Sequence, residues 1–245
     1  MPFIIKVYGI SAFGLLSFST AICMLINVIC DYGFNLTATR DVSINVKDPK
    51  KINQIFNTVF SAKLLLLIVT LLLYVLSIFT IDKLRSDWLI YTLSFGMVIG
   101  NVIFPLWLYQ GFQNFKFITA INIIFKVFFT VCIFFVVDDN NDFYKVPLFL
   151  SLGYIVPGAI ALFYAKNQYS LSFQRPKFKQ LLNVYRDGWH IFVSRIAVFS
   201  YTSINVIFLE FFTNNIIVGY YAVASRVIAA ISSVFGMVNQ VLYPY

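Results

Sequence analysis

Charge is what this chain has least of: 11% of its 245 residues are Asp, Glu, Lys or Arg, where a water-soluble domain carries roughly 25%. With 60% hydrophobic residues, little polar surface is left to face water, which excludes a soluble globular domain and leaves a polytopic membrane protein. The three cysteines, Cys23, Cys30 and Cys132, lie inside apolar runs without a C-x-x-C pair, so neither a disulfide framework nor a zinc site is suggested. They read as packing residues. The single histidine, His190, falls near a span end and reads as an interfacial polar residue. The opening MPFIIKVYG lacks a basic n-region and a small-residue cleavage site, so no secretory leader is read there. The run DDNND at 138–142 reads as a solvated acidic turn rather than a cation site. No metal or cofactor is expected.

What is present is apolar sequence in long runs. A bilayer core needs about 20 apolar residues in a helix, and seven stretches qualify: residues 12–32, 55–81, 88–109, 116–137, 144–165, 186–210 and 216–240. The first residues, FIIKVYG, are too short to cross. One set of alternate loops carries ten Lys and Arg residues and the other, with the start of the chain, carries four. Basic short loops stay in the cytoplasm, so the ten-residue side is expected there. The net charge of +8 is thus a topology signal, and no nucleic-acid partner is expected because the basic residues are spread over three loops. The loop at 166–186, KNQYSLSFQRPKFKQLLNVYR, mixes basic and aromatic residues. It suits a surface helix on anionic lipid and is the best candidate domain linker.

Four basic residues fall outside the loops. Lys63, Lys126, Arg195 and Arg226 each lie roughly ten residues from a span end, near mid-depth at 1.5 Å per residue, where a charge costs ~2.5 to 3.5 kcal/mol on insertion scales. Each shares a helical face with polar residues: Lys63 with Thr70, Tyr74 and Ser77; Lys126 with Thr119, Asn122 and Thr130; Arg195 with Thr202 and Asn205; Arg226 with Ser233 and Gln240. The first span has a stripe of Thr20, Asn27 and Asp31. Five helices thus turn polar seams inward. Asp31 and Glu210 fall near span ends and no carboxylate falls at mid-depth, so internal ion pairing is not expected. A cationic interior without counter-ions suits an anionic substrate such as a phosphate or diphosphate group, and arginine suits bidentate contact.

Gly96 and Gly100 form a G-x-x-x-G pair for close helix packing. Pro105 is expected to kink its helix just before WLYQG, where Trp107 and Tyr109 are placed at interface depth; the kink is read as structural first and as a hinge for alternating access second. Residues 14–40 laid over 219–245, an offset of 205 positions, align two small-residue spans that each begin with glycine. Such repeats are common in transporters.

The segments FGLLSF from Phe13, DYGFNLTATRD from Asp31, FPLWLYQGFQNFKF from Phe104, DGWH from Asp187 and VGYYAVASRVI from Val218, with the ending QVLYPY, occur in an order that resembles the Wzx-type O-antigen flippases of the polysaccharide transporter family. The resemblance implies an all-α, polytopic transmembrane bundle of the multidrug-and-toxin-extrusion type: residues 1–165 as a six-helix lobe lacking most of its first helix, 166–185 as a basic cytoplasmic linker, and 186–245 as the first two helices of a second lobe. The chain is therefore expected to be partial. The resemblance further implies no enzymatic chemistry and a multi-pass place in the bacterial inner membrane. The implied cargo is an undecaprenyl-diphosphate-linked oligosaccharide flipped by alternating access, with membrane lipid, a polysaccharide polymerase and chain-length proteins as partners. On this reading Lys63, Lys126, Arg195 and Arg226 hold the diphosphate, and Asp31, Asn35, Thr37 and Arg40 belong to the cytoplasmic gate. The alternatives are a cation-coupled drug exporter, which needs buried carboxylates, and a membrane enzyme of polysaccharide assembly, which needs acid, base or metal groups on an aqueous loop.

Overall fold

A computed structural model describes residues 2–136 and 142–242, and among them every regular element is a helix. Six helices are long and apolar enough to cross a bilayer, seven if the bent pair α9–α10 counts as one span, so the protein is an all-α polytopic membrane bundle. The helices in order are α1 (Pro2–Asp31), α2 (Phe34–Ile44), α3 (Pro49–Thr80), α4 (Asp82–Arg85), α5 (Trp88–Ile103), α6 (Leu106–Gly111), α7 (Phe115–Val136), α8 (Lys145–Gln168), α9 (Phe178–Thr202), α10 (Ile204–Phe212) and α11 (Asn215–Leu242). The acidic run at 138–142 lies outside the described residues except for Asp142.

The seven runs read from hydropathy are recovered, with changes at their ends that have local causes. FIIKVYG is helical, as the first part of α1, joined to the rest across a kink at Gly9, whose φ of 80° is open to glycine. The first span does not stop at residue 32 either. Tyr32 and Gly33 take left-handed angles, φ 47° and 83°, and the helix resumes as α2, so that the rod extends to Ile44. At the start of α3, Asp48 accepts hydrogen bonds from the Lys50 and Lys51 amides at 3.0 and 3.1 Å, and Pro49 at the first helical position needs no donor partner. With 32 residues, α3 is about 48 Å long, well beyond a bilayer core of roughly 30 Å. The sixth span is broken at Ser203, where α9 and α10 meet at 52°.

Close helix contacts are made through glycine. A β-carbon on Gly96 would lie 2.7 Å from the Ser151 β-carbon, and one on Gly100 would strike the Tyr154 and Ile155 backbone, so the G-x-x-x-G pair seats α5 on α8. Pro105 separates α5 from α6 as expected. Trp107 and Tyr109 are fully buried against other helices, and the Tyr109 hydroxyl donates to the Ala161 carbonyl at 2.6 Å. The α1–α11 crossing is reciprocal. A β-carbon on Gly14 would meet the Asn215 carbonyl, and one on Gly219 would meet the Ile10 carbonyl. Adding 205 to Ile10 and Gly14 gives Asn215 and Gly219, so the two helices exchange equivalent contacts, as elements related by a local two-fold axis do.

Residues 171–177 form no regular element, rather than a surface helix. Two asparagines one turn apart on α3 hold them. Asn53 donates to Ser172 Oγ and accepts from the Ser172 amide at 2.9 and 2.8 Å; Asn57 donates to the Ser172 carbonyl and accepts from the Gln174 amide, both at 2.7 Å. The later part of KNQYSLSFQRPKFKQLLNVYR already belongs to α9.

Candidate functional site

The break at Tyr32–Gly33 builds the site. Where α1 ends, the left-handed residues let α2 continue the rod, and Asp31 is left inside it. A β-carbon on Gly33 would lie 2.7 Å from the Ile191 side chain, and one on Gly188 equally near the Tyr32 carbonyl, so only glycines allow α9 this close. Tyr32 stacks on Phe192 at 4.4 Å between ring centroids and meets the edge of Tyr185 at 5.3 Å. The Tyr185 hydroxyl in turn donates to the Ala62 carbonyl at 2.8 Å. The break, α3 and α9 are thereby locked together around one carboxylate.

Asp31 Oδ2 accepts from Arg195 Nη1 at 2.8 Å, and Oδ1 lies 3.1 Å from Lys63 Nζ. The second contact is an ion pair without the directionality of a hydrogen bond, since Oδ1 has no hydrogen-bond partner. Lys63 instead donates to Asn35 Oδ1 at 3.3 Å, from the first turn of α2. Together with Asn27 and Asn101 these residues line a cavity of about 220 Å³ with Cys30 and Phe104 on its wall. One carboxylate faces two cations, leaving one positive charge in excess among neutral amides.

This arrangement corrects the expectation that internal pairing is absent. Hydropathy ended the first span at residue 32, one past Asp31; the helical rod in fact runs on to Ile44, and the Asp31 side chain lies against Lys63 of α3. Glu210 is corrected in the same way. Its side chain is 1% exposed and pairs with Lys83 at 3.0 Å, although Glu210 lies only two residues before the end of α10.

The structure brings together Lys63, Arg195, Asp31 and Asn35, and separates the other expected site residues from them. Lys126 lies over the Tyr154 ring at 4.6 Å and lines a separate cavity between α7 and α8. Arg226 lies over the Phe13 ring at 4.8 Å. Among the described residues neither has an ion-pair partner, and each is held by a ring face. Thr37 is buried in α2, outside the cavity lining. Arg40 is exposed and pairs with its neighbour Asp41 at 2.9 Å, an arrangement worth little in water. Pro105 lies one residue beyond Phe104 on the cavity wall. Of the polar seams, that of Lys63 faces inward: Thr70 and Tyr74 are buried, and the Tyr74 hydroxyl donates to the Tyr91 carbonyl at 3.1 Å. Those of Lys126 and Arg195 are largely exposed, with Thr119, Thr130, Thr202 and Asn205 all on the surface. Asn101 was missed by sequence reasoning, although an amide in the middle of an apolar span, directly after Gly100, was a usable signal.

Over residues 1–245 the chain matches the family described as polysaccharide biosynthesis protein. It is 25% identical over 243 residues to a provisionally named O-antigen transporter of Escherichia coli (strain K12), covering 99% of this chain and 59% of that protein. A protein of the same provisional name from Shigella dysenteriae is 25% identical over 253 residues, covering 100% of this chain and 61% of the relative. The chain therefore spans about three fifths of the length of the curated relatives it matches. No solved structure matches it.

Proposed function

Since the chain belongs to the polysaccharide biosynthesis protein family, we propose that it serves in moving lipid-linked saccharide across a membrane, the cargo being an undecaprenyl-diphosphate-linked O-antigen repeat unit and the membrane the bacterial inner membrane. The observation that carries this reading is the Asp31 cavity. It is an aqueous-sized space inside an apolar bundle, lined by amides, with one positive charge in excess. Amides suit sugar hydroxyls and the guanidinium of Arg195 suits phosphate oxygens. No bond is made or broken, so the protein is not an enzyme on this reading.

The mechanism follows from the ion pairs. Without cargo, Asp31 neutralises part of the charge on Lys63 and Arg195. An arriving diphosphate competes with Asp31 for Arg195, whose side chain is 40% exposed and free to turn, while Lys63, at 4%, stays fixed. Asp31 sits on the Tyr32–Gly33 break, so its release bears directly on the α1–α2 rod, and the Pro105 break on the cavity's other wall supplies a second pivot for alternating access. The gate role of Asp31 and Asn35 rests on their place in the cavity; Thr37 and Arg40 take the supporting place behind and outside it. The basic loops at 40–51 and 166–186 face the cytoplasm. Residues 1–165 act as the first lobe, 186–245 as the start of a second, and polymerase and chain-length proteins are the partners downstream.

Buried carboxylates favour a second reading, a cation-coupled exporter of small molecules. Asp31 and Glu210 are both nearly out of solvent, but each is held by a lysine or arginine and so is not free to coordinate a cation. The chain reconstituted in vesicles, with a fluorescent undecaprenyl-diphosphate saccharide whose inner-leaflet fraction is read by an impermeant quencher, decides between them. Flipping above that of protein-free vesicles, lost at least tenfold in the Lys63→Met/Arg195→Gln variant, is expected. Equal flipping by that variant, or none by the wild type together with gradient-driven drug efflux, overturns the reading.

A further inference from the structure

At the end of the bundle away from the Asp31 cavity, the four-residue helix α4 carries Lys83 into the corner between α10 and α11. Glu210 presents one carboxylate oxygen 3.0 Å from Lys83 Nζ. The same ammonium donates to the Glu210 carbonyl, and to that of Thr213 at 3.1 Å. With its amide turned to donate, Asn215 meets the two carboxylate oxygens at 2.8 and 2.9 Å. The corner itself is stiff. Asn214 Oδ1 accepts from the Ile216 and Ile217 amides, both at 3.1 Å, and so caps α11. One lysine from the α3–α5 connection is thus surrounded by acceptors on α10 and on its turn into α11.

The neighbouring layer closes the same gap without polar groups. Phe18 of α1 meets Tyr91 of α5 and Phe211 of α10 edge to face, each at 5.9 Å. The glycine crossing of α1 and α11 follows, and Asn215 belongs to it as well as to the polar cluster. Hydrophobic closure alone would have needed no charge here. A buried carboxylate stabilises a contact less than apolar packing does, but it makes separation abrupt: Glu210 loses its partner in surroundings that hold little water, while Lys83, 36% exposed, can withdraw into solvent. Such an interaction favours two discrete arrangements over gradual loosening.

We propose that Lys83, Glu210 and Asn215 form a latch that keeps this end of the bundle shut while the Asp31 cavity is open at the other, and that its release separates α10 and α11 from α4 and α5. The inference concerns accessibility, not cargo, so it stands or falls apart from the transport reading.

The test places a single reporter cysteine at Thr20, on α1 between the latch and the cavity, in the whole chain with its three native cysteines replaced, and measures labelling in sealed vesicles by an impermeant maleimide added on the latch side. Glu210→Lys alone and Lys83→Glu alone are expected to raise the labelling rate at least fivefold. The double exchange Lys83→Glu/Glu210→Lys restores the opposite charges and is expected to return the rate to within about twofold of the parent; recovery of this kind cannot come from misfolding. Single variants labelled at the parent's rate overturn the latch, and so does a double exchange labelled as fast as the singles.

Discussion

Replacing Asp31 by asparagine keeps the size and shape of the side chain and removes only its charge, so the cost isolates the electrostatics of the cavity. Lys63 is left with the Asn35 carbonyl oxygen at 3.3 Å and with a side chain 4% exposed. Breaking a buried ion pair from one side costs about 3–5 kcal/mol. The lower end applies here, ~3 kcal/mol, because the cavity admits water beside the ammonium, and this corresponds to roughly 10²-fold in the unfolding equilibrium. Arg195 adds little to that sum, since at 40% exposure it turns to solvent; Arg195→Gln is expected to cost about 1 kcal/mol or less. The double variant Asp31→Asn/Lys63→Met leaves no buried charge unpaired and is expected to be more stable than Asp31→Asn alone. Unfolding in mixed micelles titrated with sodium dodecyl sulfate, followed by far-ultraviolet circular dichroism, gives all three values. An Asp31→Asn protein within about 0.5 kcal/mol of wild type, or a double variant as unstable as the single one, refutes the argument.

The same variant bears on cargo: with its internal competitor gone, Asp31→Asn is expected to bind inorganic diphosphate more tightly than wild type, by titration calorimetry, and weaker binding would show Asp31 to be a contact rather than a competitor. Gly14→Val puts side-chain atoms into the Asn215 carbonyl at the α1–α11 crossing and is expected to cost at least ~1–3 kcal/mol in the micelle titration, whereas the same change at Gly153, with no atom nearer than 3.7 Å to its β-carbon, costs far less. Asn57→Ala removes two hydrogen bonds to the 171–177 segment, each worth about 0.5–1.5 kcal/mol, and several-fold faster tryptic cleavage after Lys177 should follow. Lys126→Met deletes a cation that, among the described residues, lies over the Tyr154 ring without an ion-pair partner, so stability is expected to hold or rise; a loss above about 1 kcal/mol would show a partner for that ammonium.

Composition and hydropathy alone determined the class and where the long apolar helices run, because burying twenty apolar residues against lipid is a local property that each run settles for itself. The glycine pairs were legible for the same reason: Gly96 and Gly100, and the aligned Gly14 and Gly219, mark places where only a hydrogen fits. The resemblance carried by YGFNLTATR and PLWLYQG agrees with the family match. Four cations could be named from the sequence, but not their company. Lys63 and Arg195 meet at Asp31 because two left-handed residues carry a helix past the point where its hydropathy ends, while Lys126 and Arg226, equal to them in depth along their own helices, come to rest on aromatic rings.

That difference depends on which face of each helix meets which neighbour, and faces are set by packing across the whole bundle. The same holds for Glu210, which seemed terminal along the chain and is enclosed by Lys83 and Asn215 in space. Position along a helix can be counted from sequence; the partner of a charge more than a hundred residues away is decided only when the helices cross.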